Sequence, residues 1–115
     1  MQEPESHEPV EVAITADDLA WLTDFARSLV EDRICASANI TNEVRSFYWW
    51  DGRMFDRTEA RVILHTRRSR VAAIVERVKA EHTYVVPAVT AVPLIAGNDE
   101  YFEWIMRETA GEPHQ

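Results

Sequence analysis

The chain has 115 residues and a formal net charge of −8, from 20 acidic and 12 basic side chains. This length is typical of a single domain with its own core, and a hydrophobic content of 46% is typical of a globular protein. The acidic balance argues against nucleic-acid binding, because phosphate recognition requires a basic surface. The one basic cluster, residues 67–70, is therefore predicted to be a solvated loop.

The termini and the cysteine content indicate the cellular setting. Residues 1–9 are acidic and contain two prolines without an apolar run, which predicts a disordered tail rather than a signal peptide or a membrane span. Residues 111–115 predict a second tail, so the folded domain is expected over 10–110. The only cysteine, Cys35, excludes an internal disulfide and suits a reducing compartment. We therefore expect a cytoplasmic protein that does not contact membranes.

The first elements are a strand and an amphipathic helix. Alternating apolar positions predict a strand over residues 10–15. Thr15 or Asp17 is then expected to cap a helix that ends before Asp32. The apolar residues of this helix recur at helical spacing and are interpreted as core: Leu19, Trp21, Leu22, Phe25, Ala26, Leu29 and Val30.

A long β-hairpin is predicted next. Four consecutive aromatics, residues 47–50, lead into Asp51-Gly52, and Asp-Gly is among the strongest short hairpin signals. The rising strand is expected over 36–50 and the falling strand over 53–66. Even-numbered positions are apolar in both strands, so we expect one extra residue at the tip, near Gly52, to bring both sets onto one face. The predicted pairs are Val44–Ala60 and Ile40–Leu64 on the core face, and Arg45–Glu59 and Glu43–Arg61 on the other.

The remaining sequence predicts helix, strand and helix. Ser69 is the expected N-cap of a helix ending near Glu81. Residues 88–94 predict a strand, and Pro93 near its end indicates that the strand either stops early or lies at a sheet edge. A last helix is expected over 99–107, with Asn98 as its cap. The order β-α-β-β-α-β, followed by an extra C-terminal helix, predicts an α+β, ferredoxin-like split βαβ fold with an antiparallel sheet.

This topology places both main helices on one sheet face and leaves the second face uncovered. The register above assigns Phe47, Trp49 and Ile63 to that second face. Large exposed apolar side chains usually mark a surface for a partner. No nucleophile–base pair is recognisable in the sequence, and its three glycines exclude a Walker-type phosphate loop. We therefore predict neither catalytic residues nor a nucleotide cofactor.

Five short motifs, in order and at the expected spacing, resemble the CutA divalent-cation tolerance family. They cover most of the chain from about residue 10 to residue 110: ICASANI at 34–40, SFYWWDGR at 46–53, LHT at 64–66, HTYVVP at 82–87, and Gly97-Asn98 followed by Tyr101 and Trp104. The resemblance implies a tight, PII-like homotrimer with no enzymatic reaction. It also implies a link to tolerance of copper and other divalent metals.

The chain departs from the family pattern at the residues that would bind metal. Ser37 and Ile14 stand where relatives can carry cysteine, and thiolates are the strong ligands for copper. His82, with Glu81 beside it, is the best remaining ligand pair, and a surface histidine at a helix end is the alternative interpretation. These ligands predict weak binding of Cu(II) or another divalent ion.

Five further residues are candidates for an inter-subunit pocket or interface. The resemblance suggests that Trp50 and Tyr84 line a small pocket between subunits, with Phe47, Trp49 and Glu59 at the interface. Core packing is the alternative for Trp50 and Tyr84. Two rival functions stay open: a PII-like signalling trimer that binds a small anionic ligand between subunits, and a structural trimer that scaffolds another protein.

Overall fold

The computed structural model describes residues 8–84 and 86–111. Their order is β1 (Pro9–Ala16), α1 (Leu19–Glu31), β2 (Ser37–Trp50), β3 (Arg53–Arg67), α2 (Val71–Glu81), β4 (Val89–Pro93) and α3 (Asp99–Glu108). The four strands form one sheet in the order β2-β3-β1-β4, with every neighbouring pair antiparallel. This confirms the predicted ferredoxin-like α+β fold, and β4 lies at the edge as Pro93 indicated.

The core lies between one sheet face and helices α1 and α2. Alternate residues of β1 and β3 point into it, and the apolar stripes of the two helices close it. The most deeply buried of these side chains are Val12, Ile14, Leu22, Leu29, Val62, Leu64, Ile74 and Val78. Cys35 belongs to the same cluster and is 1% exposed, so it is a small buried side chain, as its apolar surroundings favour.

Two of the three predicted helix caps are wrong, whereas Asn98 is the N-cap residue of α3 as predicted, without a capping hydrogen bond from its side chain. The backbone N–H of Trp21 donates to Asp18 Oδ1 at 3.0 Å, so Asp18 is the N-cap of α1. Thr15 and Asp17 were the wrong candidates, because β1 continues through Ala16. Ser69 does not cap α2 either, since it lies inside a 3₁₀ turn, Arg68–Arg70, that precedes the helix.

The predicted extra residue at the hairpin tip is wrong. Trp50 pairs directly with Arg53 around a two-residue loop. Asp51 and Gly52 both have positive φ, 51° and 77°, which suits the tight turn that follows the twist of the strands. The irregularity lies instead between Thr41 and Val44, where Glu43 has a φ of 61°. The extra residue is therefore accommodated in the middle of β2 as a bulge.

Because the bulge moved, the predicted cross-strand pairs are also wrong. The register pairs Ile40 with Val62 and Val44 with Glu59. Neither predicted ion pair forms: Arg45 pairs with Asp56, through two hydrogen bonds of 3.0 and 2.8 Å. A bulge changes which face each later residue of the strand occupies. A single misplaced residue thus changed the predicted pairs on both sides of the bulge.

The bulge also moves the exposed aromatics to the other face. Phe47 and Trp49 pair with Asp56 and Met54, whose even positions on β3 share the face of the core residues. They lie beyond the end of β1 and are 62% and 74% exposed. The assignment of both residues to the face of Ile63 was therefore wrong. We call residues 44–59, which extend past β1, the projecting hairpin.

Helix α3 covers one end of the second sheet face, which the sequence analysis left open. His65 and Arg67, at odd positions of β3, contact Tyr101 and Thr109 of α3. The neighbouring Thr66 points the other way and donates to the carbonyl of Ile34 at 2.6 Å. The prediction of a fully uncovered face is thus wrong at this end of the sheet.

The basic cluster is not the solvated loop that was predicted. Arg70 is 7% exposed and donates to the carbonyl oxygen of Thr109 at 3.2 and 2.7 Å and to that of Gly111. Arg67 donates to Thr109 Oγ1 at 3.0 Å and to the carbonyl of Met106. Both arginines satisfy carbonyl groups at the C-terminal end of α3, where positive charge is favourable.

The predicted tails fall mostly outside the described residues, because residues 1–7 and 112–115 are not among them. Of the residues assigned to the N-terminal tail, Pro9 begins β1 and the carbonyl of Glu8 accepts a 2.8 Å hydrogen bond from the N–H of Arg68. Within the described part of the chain, no helix has the length and apolar character needed to cross a membrane.

Candidate functional site

A cavity of about 470 Å³ lies at the base of the projecting hairpin. The second sheet face of the hairpin forms one wall, and the connection between α2 and β4 forms the other. Most of the lining side chains are aromatic or aliphatic: Thr15, Ser46, Phe47, Tyr48, Trp50, Phe55, Arg57, Glu59, Tyr84, Val86 and Ala88. A volume of this order is within the usual range of small-molecule sites.

Glu59 and Tyr84 form the polar end of this cavity. Glu59 is 5% exposed, and its Oε2 accepts a 2.5 Å hydrogen bond from the Tyr84 hydroxyl. Burial and the neighbouring Glu59 carboxylate raise the pKa of Tyr84 above its ordinary value, because both disfavour a phenolate. Among the described residues, none of the ion pairs includes Glu59.

Stacked rings form the apolar wall. The rings of Tyr48 and Phe55 are nearly parallel, with centroids 5.5 Å apart. The guanidinium carbons of Arg53 and Arg57 lie 4.9 and 5.1 Å from the centroid of Phe55, within cation–π range. Trp50 closes the outer part of the cavity and is 46% exposed. The two arginines therefore stack on the ring of Phe55, while the carboxylate of Glu59 is more deeply buried.

Of the five residues predicted for a pocket or interface, the structure brings four to one cavity. Phe47, Trp50, Glu59 and Tyr84 all line it. Trp49 does not line it and is largely exposed, whereas Phe47 does line it although the two share one face of the hairpin. The resemblance suggested a pocket for Trp50 and Tyr84 between subunits; it did not indicate that Phe47 and Glu59 line the same cavity or that Glu59 accepts a hydrogen bond from Tyr84.

The predicted metal ligands already have partners within the chain. The N–H of Tyr84 donates to His82 Nδ1 at 3.0 Å, and His82 Nε2 lies 2.8 Å from the carbonyl oxygen of Thr15. The carboxylate of Glu81 lies 3.9 Å from Arg77 Nε, so it faces along the helix. A metal would need a free imidazole lone pair, and both ring nitrogens of His82 are engaged.

The remaining donors do not complete a metal site. Burial raises the pKa of the Cys35 thiol to about 12, so the thiolate that binds metals is disfavoured at neutral pH. Over residues 8–84 and 86–111, no three His, Cys, Asp or Glu side chains cluster in a way that could hold a metal ion. The described part of one subunit therefore does not present a preformed metal centre.

A second polar cluster, around His65, was not predicted from the sequence. His65 Nδ1 lies 2.6 Å from the Tyr101 hydroxyl, and Nε2 lies 3.0 Å from Glu11 Oε1. Glu11 is the direct cross-strand neighbour of His65 in β1, which a β1–β3 register could have predicted. The contact with Tyr101 depends on where α3 packs, and no local pattern indicates that.

Fold and site together define a class: small α+β proteins with a ferredoxin-like sheet, a long projecting hairpin and an aromatic cavity at its base. Residues 10–108 match the family described as CutA1 divalent ion tolerance protein, so the chain belongs to that family.

Named relatives agree with this placement. The chain is 39% identical over 85 residues to the chloroplastic protein CutA 1 of Oryza sativa, a match that covers 74% of this chain and 48% of the relative. It is 35% identical over 94 residues to the divalent-cation tolerance protein CutA of Archaeoglobus fulgidus, covering 82% and 91%. The chain thus spans about half the length of the plant relatives and nearly all of the archaeal one.

Solved structures of family members share the fold. The CutA1 structure from Oryza sativa superposes with a TM-score of 0.86 at 33% identity and covers 91% of this chain and 96% of that one. The Archaeoglobus fulgidus structure, described as a periplasmic divalent cation tolerance protein, gives a TM-score of 0.84 at 32% identity and covers 89% and 99%.

Proposed function

We propose that the protein is a non-enzymatic homotrimer that acts in the response to divalent metal ions. Membership of the divalent-cation tolerance family supports the metal connection. The non-enzymatic part is supported by the partners of His65 and His82, whose ring nitrogens contact tyrosine, glutamate and backbone groups rather than a serine or cysteine nucleophile.

The observation that carries the trimer is the exposed apolar surface of the projecting hairpin. Phe47, Trp49 and Met54 share one face and are 62%, 74% and 58% exposed. A subunit that left three such side chains in water would forgo several kcal/mol of burial, by roughly 1.5–3 kcal/mol per large side chain. The resemblance to the CutA family implies a PII-like homotrimer, in which sister subunits would cover this face.

The metal part of the proposal is limited to weak binding of Cu(II) or another divalent ion at Glu81 and His82. Occupation of His82 would require breaking its contact with Tyr84 N–H or with the Thr15 carbonyl. Loss of such a hydrogen bond opposes binding by roughly 1 kcal/mol. Cytoplasmic location is likewise a proposal, which the single buried cysteine favours. Among the relatives, the rice protein is named as chloroplastic and the archaeal structure as periplasmic.

The rival function, binding of a small anionic ligand, has less support. The charged group deepest in the cavity is the carboxylate of Glu59, which repels anions. Arg67 and Arg70 are engaged with α3, and Arg53 and Arg57 stack on Phe55. No observation specifically favours the scaffold hypothesis.

Size-exclusion chromatography with light scattering tests the central claim. The expected mass is three times the 13.3 kDa of one chain. A monomer at micromolar concentration would contradict the trimer, whatever the outcome for metals. A parallel isothermal titration with Cu(II), Cu(I) and Zn(II) tests the metal part. The proposal expects micromolar or weaker binding of the divalent ions, and tight Cu(I) binding would contradict it.

A further inference from the structure

We propose that the cavity at the base of the projecting hairpin binds an organic amine with an aromatic or aliphatic body, whose ammonium group pairs with Glu59. This goes beyond the proposed function, and it concerns residues that one subunit supplies by itself. Three observations carry it: the burial of the carboxylate, the absence of a cationic partner for it among residues 8–84 and 86–111, and the aromatic character of the walls.

The first step concerns the burial of Glu59 and the groups that contact its carboxylate. A carboxylate that is 5% exposed has lost most of its hydration, and buried charges in proteins are normally paired with an opposite charge. Its observed partner is the Tyr84 hydroxyl, which is a neutral donor. The described residues offer Glu59 no further side-chain hydrogen bond or ion pair. Within the described part of one subunit, no positively charged group therefore pairs with this carboxylate.

The second step is the shape and chemistry of the walls around that carboxylate. Tyr48, Phe55 and Trp50 surround a cavity of about 470 Å³, which is large enough for a ring or a short aliphatic chain. Apolar walls exclude water and so strengthen a charge pair inside the cavity. Aromatic faces also attract cations directly. An ammonium on an apolar body satisfies both the walls and the carboxylate.

The third step is the position of the cations already present. Arg57 is two residues from Glu59 on the same face of β3, but it is exposed and its guanidinium stacks on Phe55. It therefore lies at the outer side of the cavity, where it can pair with a carboxylate carried by the same ligand. A purely anionic ligand could form an ion pair with Arg57, but the Glu59 carboxylate deeper in the cavity would repel it. A bare metal ion would find one carboxylate and a protonated phenol, which is a poor ligand set.

The test compares three probes that share one apolar body: phenethylamine, 2-phenylethanol and 3-phenylpropionate. Each is titrated calorimetrically into the full-length protein at pH 7.5, with light scattering run on the same sample. We expect saturable binding of phenethylamine, and at least about tenfold weaker binding of the neutral and anionic probes. Glu59→Gln, which keeps an acceptor for Tyr84 but removes the charge, should weaken phenethylamine binding at least about tenfold. Glu76→Gln, the same change on the exposed side of α2, is the matched control and should leave it unchanged.

Several results would overturn the proposal. These are equal binding of the amine and the alcohol, preference for the propionate, undiminished binding in a folded Glu59→Gln, and no binding of any probe up to about 10 mM. The last result would also be seen if a side chain of a sister subunit fills the cavity. Because the probe series uses the unmodified protein, it remains decisive if Glu59→Gln does not fold. The light-scattering mass reports on the trimer separately, so either proposal can fail alone.

Discussion

The hydroxyl of Tyr84 donates a 2.5 Å hydrogen bond to the carboxylate of Glu59, across 25 positions of sequence. This contact ties the connection after α2 to the base of the projecting hairpin. Because Glu59 is almost fully buried, the phenol is what keeps its carboxylate hydrogen-bonded inside one subunit. This hydrogen bond should therefore contribute to the free energy of unfolding at both neutral and alkaline pH.

Tyr84→Phe should destabilise the protein by about 1–3 kcal/mol at pH 7, since it leaves a buried carboxylate without its donor. Urea unfolding followed by circular dichroism measures this. A double-mutant cycle with Glu59→Gln should show coupling between the two positions. Additive effects in that cycle would contradict a direct interaction.

Tyr84 should also make stability fall in alkali. Its pKa is raised from 10.0, so above pH 10 the unfolded chain loses this proton while the folded chain retains it. The unfolded state then binds fewer protons, and the free energy of unfolding decreases as pH rises through 10 toward the raised pKa. Melting temperatures between pH 9 and pH 11 should decline less in Tyr84→Phe than in the unmodified protein. An identical decline would assign the effect to other groups.

Cys35 should contribute an earlier alkaline loss. Burial raises the pKa of its thiol from 9.0 to about 12, so the stabilising difference is complete below pH 9 and is lost between pH 9 and about 12. Cys35→Ala should flatten the pH profile of the melting temperature above pH 9, although the smaller side chain lowers stability at neutral pH. A profile as steep as that of the unmodified protein would contradict the assignment.

Arg70 should stabilise the docking of α3. Arg70→Met leaves the carbonyls of Thr109 and Gly111 without their charged donor, at a cost of about 1.5–3 kcal/mol. Amide hydrogen exchange in α3 should accelerate, because the end of the helix loses its anchor. Arg68→Met is the matched control: its side chain is 54% exposed and pairs with Glu8 at 3.3 Å, so it should change stability by less than about 1 kcal/mol. Equal effects of the two variants would contradict a specific role for Arg70.

Trp49 should act on assembly rather than on the fold of one subunit. It is 74% exposed, so Trp49→Ala removes little packing within the chain. If sister subunits cover it, the variant should dissociate at higher protein concentration, and its melting temperature should depend more strongly on concentration. Ile95→Ala, at a position that is 91% exposed, is the control and should leave the mass unchanged. A Trp49→Ala protein with the same mass at every concentration would place Trp49 outside the interface.

Cu(II) binding at His82 should be visible through Trp21, whose ring centroid lies 4.9 Å from that of the imidazole. Titration at pH 7.5 should quench tryptophan emission with micromolar or weaker affinity, because the ion competes with two hydrogen bonds of the imidazole. His82→Ala and Trp21→Phe should each reduce the quenching, the first by removing the ligand and the second by removing the reporter. Quenching that is unchanged in His82→Ala would exclude this histidine.

Local sequence patterns were sufficient to predict the order of the strands and helices. Strand alternation of period two and the helical spacing in α1 depend on nearby residues alone, so they can be read without knowing the fold. Asp51-Gly52 identified the hairpin for the same reason, since positive φ is a property of those two residues.

The candidate site could not be predicted in the same way, because it is formed by residues that are far apart in the sequence. The bulge at Glu43 was not predictable, because alternation in β2 is equally compatible with an extra residue at the tip. That one choice decides whether Arg45 lies opposite Glu59, as predicted, or opposite Thr58, as the structure has it.

The amino-acid sequence by itself determined the ferredoxin-like order of strands and helices, the hairpin and the family. Only the tertiary structure decided that Arg70 anchors α3, that His65 joins Glu11 to Tyr101, and that a buried carboxylate lies inside an aromatic cavity. The reason is physical: secondary structure follows from interactions within a few residues. Register and docking are chosen by the burial and hydrogen bonding of groups that only the folded chain brings together.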